Sequence, residues 1–192
     1  MWSDKIIYIN IARLISGALR FVAIGVYFVT AFLIACCEAL RRTRPFNFIF
    51  SVLFTLNLGL LLGMLATLYQ SDELLVAVGL TSAVCLTLLL FVFQTRCAFT
   101  GAGPYLFCVL IPLIFFGLMA VMLHRGLLGL LFSSLTVMLF SCYLVYDTQL
   151  MIRGKYDHSL IADDYVILGL GIYLNIVIIF MKILWMLKRK IV

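Results

Sequence analysis

Long apolar stretches separated by short polar connections run through most of the chain. A bilayer core about 30 Å thick needs about 20 helical residues, each adding about 1.5 Å. Six apolar stretches approach or exceed that length, and they cover residues 21–37, 46–69, 74–93, 104–123, 127–146 and 165–187. The pattern predicts an all-α integral membrane protein with six membrane-spanning helices, because a transmembrane barrel would show shorter strands of alternating polarity.

The connections between these stretches are too short to hold a soluble domain, so we expect one helical bundle over residues 21–187. Residues 70–73 predict a tight polar turn, and residues 147–164 form the longest and most charged connection. Residues 1–20 combine isoleucines with scattered cations, which favours a basic amphipathic segment at the membrane surface. Residues 188–192 form a basic tail.

Composition agrees with a membrane protein. Hydrophobic residues make up 66% of the 192 residues and charged residues only 11%, whereas soluble domains average about half apolar and about a quarter charged. The formal net charge of +6 comes from cations clustered beside the apolar stretches, as expected for residues that flank a membrane. The charge therefore indicates membrane topology, with the lipid bilayer as the partner and no nucleic acid.

The distribution of cations also bears on orientation. The connections after the first, third and fifth stretches carry most of the loop cations, which predicts that these connections are cytosolic. Six full crossings would then leave both basic termini on the other side. Either the last stretch re-enters without crossing, or the loop cations overrule those of the termini.

Asp147 is the sharpest candidate for an ionisable group at membrane depth, where such groups need a partner or a function. It follows Tyr146, and apolar residues continue after it up to Arg153. One interpretation is a functional carboxylate. The other is an interfacial aspartate that is hydrogen-bonded to nearby backbone or paired with Arg153.

The sixth stretch carries polar positions at helical spacing. Gly171, Asn175 and Lys182 share one face, and Asn175 lies near the predicted bilayer midplane. Asn175 either holds helices together through its amide or takes part in an ion path. Lys182 either extends to the far interface or acts as a gating charge near the aspartate.

Asn57 lies in the middle of the second stretch, close to Gly59 and Gly63. The spacing of the two glycines allows two helix backbones to approach closely. We therefore expect these three residues to serve helix packing.

No motif of a known catalytic or nucleotide-binding site occurs, so we expect a protein that is not an enzyme, holds no metal and needs no cofactor. Asp163 and Asp164 are adjacent, a spacing that suits charges at a helix N-terminus better than acid catalysis. Together with Arg153 and Lys182, they are charges that could gate a pore or anchor the bundle.

Several separate motifs keep a consistent order and spacing from residue 21 to residue 187. They are Cys36-Cys37-Glu38 with Arg41-Arg42, Pro45-Phe46-Asn47, Phe93-Gln94-Thr95, Tyr146-Asp147-Thr148-Gln149, Asp164-Tyr165 and Ile172-Tyr173-Leu174-Asn175-Ile176. This set resembles the Bax inhibitor motif family, and specifically its lifeguard branch.

The resemblance implies a fold of seven membrane-spanning helices. It also implies a protein that suppresses cell death and lowers stored calcium through a leak pathway in the endoplasmic reticulum, Golgi and related membranes. The family's proposed pore is governed by two aspartates, one at the end of the sixth helix and one in the middle of the seventh. The first matches Asp147, whereas the second falls at Asn175. Because an amide cannot ionise, we expect an altered sensor. By the same resemblance, the six stretches correspond to the family's second to seventh helices.

Two functional hypotheses follow from the resemblance. The first is a multi-pass regulator of cell death and calcium homeostasis that resembles a calcium leak channel, with calcium as the permeant ion. Its expected location is the endoplasmic reticulum or Golgi, with other intracellular membranes or the plasma membrane as alternatives. The alternative is a non-conducting lifeguard-like paralogue that binds family members or death-regulatory membrane proteins.

Overall fold

The computed structural model describes residue 17 and the ranges 21–33, 46–94, 101–122, 126–156 and 162–190. Within these ranges, the side chains of residues 153–156, 162–164 and 189–190 lie outside the description. All described residues belong to helices or short connections. The prediction of an all-α fold is therefore confirmed.

Six helices can be followed within the described ranges. They are α1 (Phe21–Leu33), α2 (Phe46–Ala66), α3 (Ser71–Gln94), α4 (Gly103–Met122), α5 (Gly126–Tyr156) and α6 (Ala162–Lys190). The last five are long and apolar enough to cross a membrane, whereas the described part of the first stretch is a shorter apolar helix. Helices suit these stretches because lipid offers no hydrogen-bond partners to exposed peptide groups.

The turn predicted at residues 70–73 lies a few residues earlier in the structure. α2 ends at Ala66, and Ser71, Asp72 and Glu73 already form the first turn of α3. Acidic side chains are stabilised there by the helix dipole. The backbone N–H of Gln70 also donates a 3.4 Å hydrogen bond to the carboxylate of Glu73, which caps the helix.

The connection predicted to begin at Asp147 also begins later. α5 continues through Asp147 to Tyr156 and is 31 residues long. Residues 150–152 are apolar, and the following residues up to 156 include no proline that would stop the helix. Asp147 therefore lies inside a helix, about 13 Å from its C-terminal end.

The chain divides into two compact units, Met1–Leu68 and Tyr69–Val192. In the first unit, α1 and α2 pack in antiparallel directions. The rings of Tyr27 and Phe54 lie 5.2 Å apart, and the Asn57 amide donates a 3.0 Å hydrogen bond to the backbone carbonyl of Ala23.

In the second unit, α5 and α6 pack against each other, α4 packs against α5, and α3 contacts both α5 and α6. Cys85, Leu144 and Ile179 form a buried apolar core contributed by α3, α5 and α6. α6 is a continuous helix of 29 residues whose membrane-length segment is Tyr165–Lys188. That length favours a full crossing over a re-entrant segment.

Candidate functional site

The structure brings Asp147 on α5 into direct contact with Asn175 on α6. The Asn175 amide nitrogen Nδ2 donates a hydrogen bond of 2.7 Å to the Asp147 carboxylate oxygen Oδ2. Asn175 is only 5% exposed, while Asp147 is half-buried. A hydrogen bond to an ionised acceptor is short and strong, so this contact favours the charged form of the Asp147 carboxylate.

The position of the pair follows from the antiparallel packing of α5 and α6. Gly171 lies one turn before Asn175, and a methyl group added to it would sit 3.1 Å from Asp147 Oδ2. The absence of a side chain at this position lets α6 approach the carboxylate closely. The alternative pairing of Asp147 with Arg153 concerns a side chain outside the described residues.

Apolar side chains close one end of the pair. Leu144, one turn before Asp147, is 1% exposed, and Ile179, one turn after Asn175, is 0% exposed. Both belong to the core that includes Cys85. The buried hydroxyl of Thr148 donates to the backbone carbonyl of Leu144 at 2.7 Å, so it is satisfied within its own helix.

Lys182 lies two turns beyond Asn175 on α6 and is half-buried. Its Nζ lies 4.2 Å from the centroid of the Phe132 ring on α5, a cation–π contact. The sequence did not indicate this partner, because Phe132 is one of 16 phenylalanines and no local pattern distinguishes it.

A second cation–π contact lies at the start of this unit. Lys188 Nζ lies 4.8 Å from the centroid of the Tyr69 ring, in the short connection before α3. Burial, and secondly the carboxylate of Glu73, raise the pKa of the Tyr69 hydroxyl above its ordinary value. The contact brings the end of α6 close to the beginning of α3.

The remaining predicted residues lie apart from this pair. Asp163 and Asp164 are in the first turn of α6, but their side chains lie outside the described residues. Asn57 joins α1 to α2 in the first unit. Methyl groups added to Gly59 or Gly63 would meet no atom within 4 Å in the described part of the chain. Their predicted role in packing stays a prediction.

The pair offers a cation one carboxylate and one amide oxygen, which are hard ligands of the kind that calcium prefers. The carboxylate cannot share a proton with a second acid here, because the facing group is an amide. Among the side chains that the structure describes, no three His, Cys, Asp or Glu residues converge on one point.

Comparisons with known proteins agree with the motifs. A family model described as "Inhibitor of apoptosis-promoting Bax1" matches residues 5–190. Human "Protein lifeguard 3" is 34% identical over 172 residues, which cover 87% of this chain and 55% of that protein. The mouse protein of the same name has the same identity and coverage. The "Golgi anti-apoptotic protein" of vaccinia virus (strain Lister) is 29% identical over 148 residues, which cover 77% of this chain and 60% of the viral protein.

The chain thus spans a little over half the length of the lifeguard proteins that it matches. No solved structure matches it. The family model extends over nearly the whole sequence. This chain therefore belongs to the Bax inhibitor motif family, and the lifeguard 3 proteins are among the relatives that it is similar to.

Proposed function

We propose that this chain is a multi-pass membrane regulator of cell death and calcium homeostasis that acts as a calcium leak pathway with an altered aspartate sensor. The observation that carries the proposal is the 2.7 Å hydrogen bond between Asn175 and Asp147. The family resemblance assigns the sensor aspartates to these two positions, and the described helices bring the positions together. The role needs no catalytic group and no cofactor.

In this proposal Asp147 is the group that attracts cations, and Asn175 is a neutral ligand that orients it. Two carboxylates at this distance could not both stay ionised, so a paired sensor must take up a proton as the pH falls. A carboxylate facing an amide has no such partner. We therefore expect a leak that depends less on pH than one controlled by two aspartates.

The relatives support the cellular part of the proposal. The viral relative carries both "Golgi" and "anti-apoptotic" in its name, and the family model is described by inhibition of apoptosis. We propose an endoplasmic reticulum or Golgi location for this chain and an anti-apoptotic role there. Its partners would be the bilayer and death-regulatory membrane proteins or other family members.

Calcium flux from liposomes containing the purified protein tests the proposal. We expect Asp147→Asn to reduce the wild-type leak, because it removes the carboxylate that attracts the cation. We expect Asn175→Asp to introduce pH dependence between about pH 6 and pH 8, because it restores a coupled acid pair. Wild-type and Asn175→Asp fluxes that stay identical across this pH range would contradict the proposed sensor.

The second candidate function is membrane binding without conduction. It is favoured by the glycine face of α2, where methyl groups added to Gly59 or Gly63 would meet no atom within 4 Å among the described residues, so another helix has room to approach. If only Asn175→Asp conducts calcium, this candidate replaces the first. Co-purification with family members or death-regulatory proteins, lost in Gly59→Leu and Gly63→Leu variants, would then identify the binding face.

A further inference from the structure

Lys182 is a cation in the membrane-length segment of α6, and its charge has no anionic partner among the described residues. Its Nζ contacts the face of the Phe132 ring at 4.2 Å, and no other interaction of its side chain lies within the described part of the chain. Ionisable residues at membrane depth are unfavourable unless paired, and they commonly mark functional positions. A ring face attracts a cation but does not neutralise it.

Lys182 shares a helix face with Asn175. The two residues are seven positions apart, which is close to two full turns. Ile179 lies between them and is fully buried against Leu144 and Cys85. The α5–α6 interface therefore carries the Asp147–Asn175 pair on one side of the apolar core and the lysine on the other.

The side of the core that holds Lys182 is also polar on α5. Ser133 and Thr136 are 2% and 4% exposed and follow Phe132 along the helix. The Thr136 hydroxyl donates to the backbone carbonyl of Phe132 at 2.7 Å. Small hydroxyl side chains and one cation thus face the interior of the second unit at this level.

We propose that Lys182, held over Phe132, is a selectivity-determining residue whose positive charge opposes divalent cations more strongly than monovalent cations on the leak pathway. This inference rests on the leak function proposed above. The electrostatic energy between a fixed positive charge and a passing ion is proportional to the charge of the ion. The contribution of this charge to the barrier is therefore twice as large for Ca²⁺ as for K⁺, and the factor by which it slows Ca²⁺ is the square of the factor for K⁺.

The test is the ratio of Ca²⁺ flux to K⁺ flux in liposomes containing the full chain. Lys182→Met removes the charge and keeps an unbranched side chain. We expect about a tenfold rise in Ca²⁺ flux and about a threefold rise in K⁺ flux, following the square relation. Lys182→Gln is a second neutral variant, and it keeps the test decisive if the methionine variant does not fold.

Two controls separate charge from position. Lys182→Arg keeps a permanent cation and is expected to retain the wild-type flux ratio. Lys188→Met removes a cation from the end of the same helix, where it contacts Tyr69, and is also expected to leave the ratio unchanged. A Lys182→Arg flux ratio that rises as far as that of Lys182→Met would overturn the proposal, because the positive charge would then have no part in it.

The wild-type flux in the same vesicle series distinguishes this inference from the leak function itself. If the wild-type chain conducts calcium while both neutral Lys182 variants keep the wild-type ratio, the leak function stands and the role of Lys182 is wrong. If no variant conducts Ca²⁺ or K⁺, the leak function fails, and the selectivity role fails with it.

Discussion

Gly171 on α6 lies directly against the carboxylate of Asp147 on α5, at the centre of the candidate site. A methyl group there would stand 3.1 Å from Oδ2 and 3.8 Å from the carboxyl carbon. The first distance is shorter than an ordinary van der Waals contact, so either the carboxylate or the helix must shift. The hydrogen bond from Asn175 restrains the carboxylate, because Asn175 Nδ2 and Asp147 Oδ2 are only 2.7 Å apart.

The first prediction compares Gly171→Ala with Gly169→Ala on the same helix. Alanine is more favourable than glycine inside a helix by about 1 kcal/mol, and a methyl group at position 169 would meet no atom within 4 Å in the described part of the chain. We expect Gly169→Ala to gain most of this stability. We expect Gly171→Ala to be less stable than Gly169→Ala by about 1 kcal/mol, because its methyl group crowds Asp147.

Unfolding of the two variants in mixed micelles, followed by circular dichroism, measures this difference. The control introduces Gly171→Ala in an Asp147→Ala background, where the crowded carboxylate is absent. There the added methyl group should carry no stability penalty relative to Asp147→Ala alone. Equal stability gains at positions 169 and 171 would show that the Asp147 carboxylate moves aside freely.

At the scale of elements, the antiparallel register of α4 and α5 depends on close contacts between small residues and aromatic rings. A methyl group added to Gly117 would lie 2.7 Å from two carbons of the Phe132 ring, and one added to Gly103 would lie 2.7 Å from the Tyr146 hydroxyl oxygen. The Phe116 ring also lies 6.3 Å from the Phe132 ring. Phe132 therefore packs against α4 while its ring contacts Lys182 on α6.

The second prediction is that Gly117→Ala weakens the packing of α4 on α5. Its methyl group would force the Phe132 ring to shift, and overpacking of this kind typically destabilises a protein by about 1–3 kcal/mol. Gly79→Ala in α3 is the matched control, since its methyl group would meet no atom within 4 Å among the described residues. We expect the control to be neutral or slightly stabilising.

The same micelle unfolding measurement compares these two variants. A loss of stability confined to Gly117→Ala would support the contact with Phe132. If Gly79→Ala were as destabilised as Gly117→Ala, the loss would have to come from a general intolerance of added volume in these helices.

At the scale of the whole molecule, a contact within the second unit relates the direction of α6 to that of α3. The contact between Lys188 and Tyr69 brings the end of α6 to the same level as the start of α3. α3 is 24 residues long and ends at Gln94, so its two ends are about 35 Å apart. That distance exceeds the thickness of a bilayer core.

The third prediction concerns the side of the membrane on which these ends lie. Single cysteines at Asp72 and Lys188 are expected to react with a membrane-impermeant thiol reagent from one side, and a cysteine at Gln94 from the other. The loop cations predict that Gln94 is on the cytosolic side. The background must first lose its six native cysteines.

Labelling of sealed microsomes before and after permeabilisation gives the measurement. A cysteine at Lys188 that reacts together with the one at Gln94 would mean that α6 re-enters instead of crossing. This result would contradict the full membrane crossing that the 29-residue continuous helix favours.

Much of the architecture was predictable because it depends on local properties of the chain. Apolar length predicted the five membrane-length helices, since lipid leaves helical backbone as the low-energy choice for such stretches. The ends of the helices were less predictable. Residues 71–73 form a polar cluster that suits a turn or a capped helix start, and residues 147–156 are too polar to be recognised as an extension of α5 by hydropathy alone.

The sequence by itself determined the membrane class, the helical fold and the candidate residues Asp147, Asn175 and Lys182, because an ionisable or amide group in an apolar stretch stands out wherever it lies. Only the tertiary structure decided their partners. Asp147 meets Asn175, and Lys182 meets Phe132. Both contacts join residues far apart in the chain, so they depend on the register of two antiparallel helices, which side-chain packing sets and local hydropathy does not record.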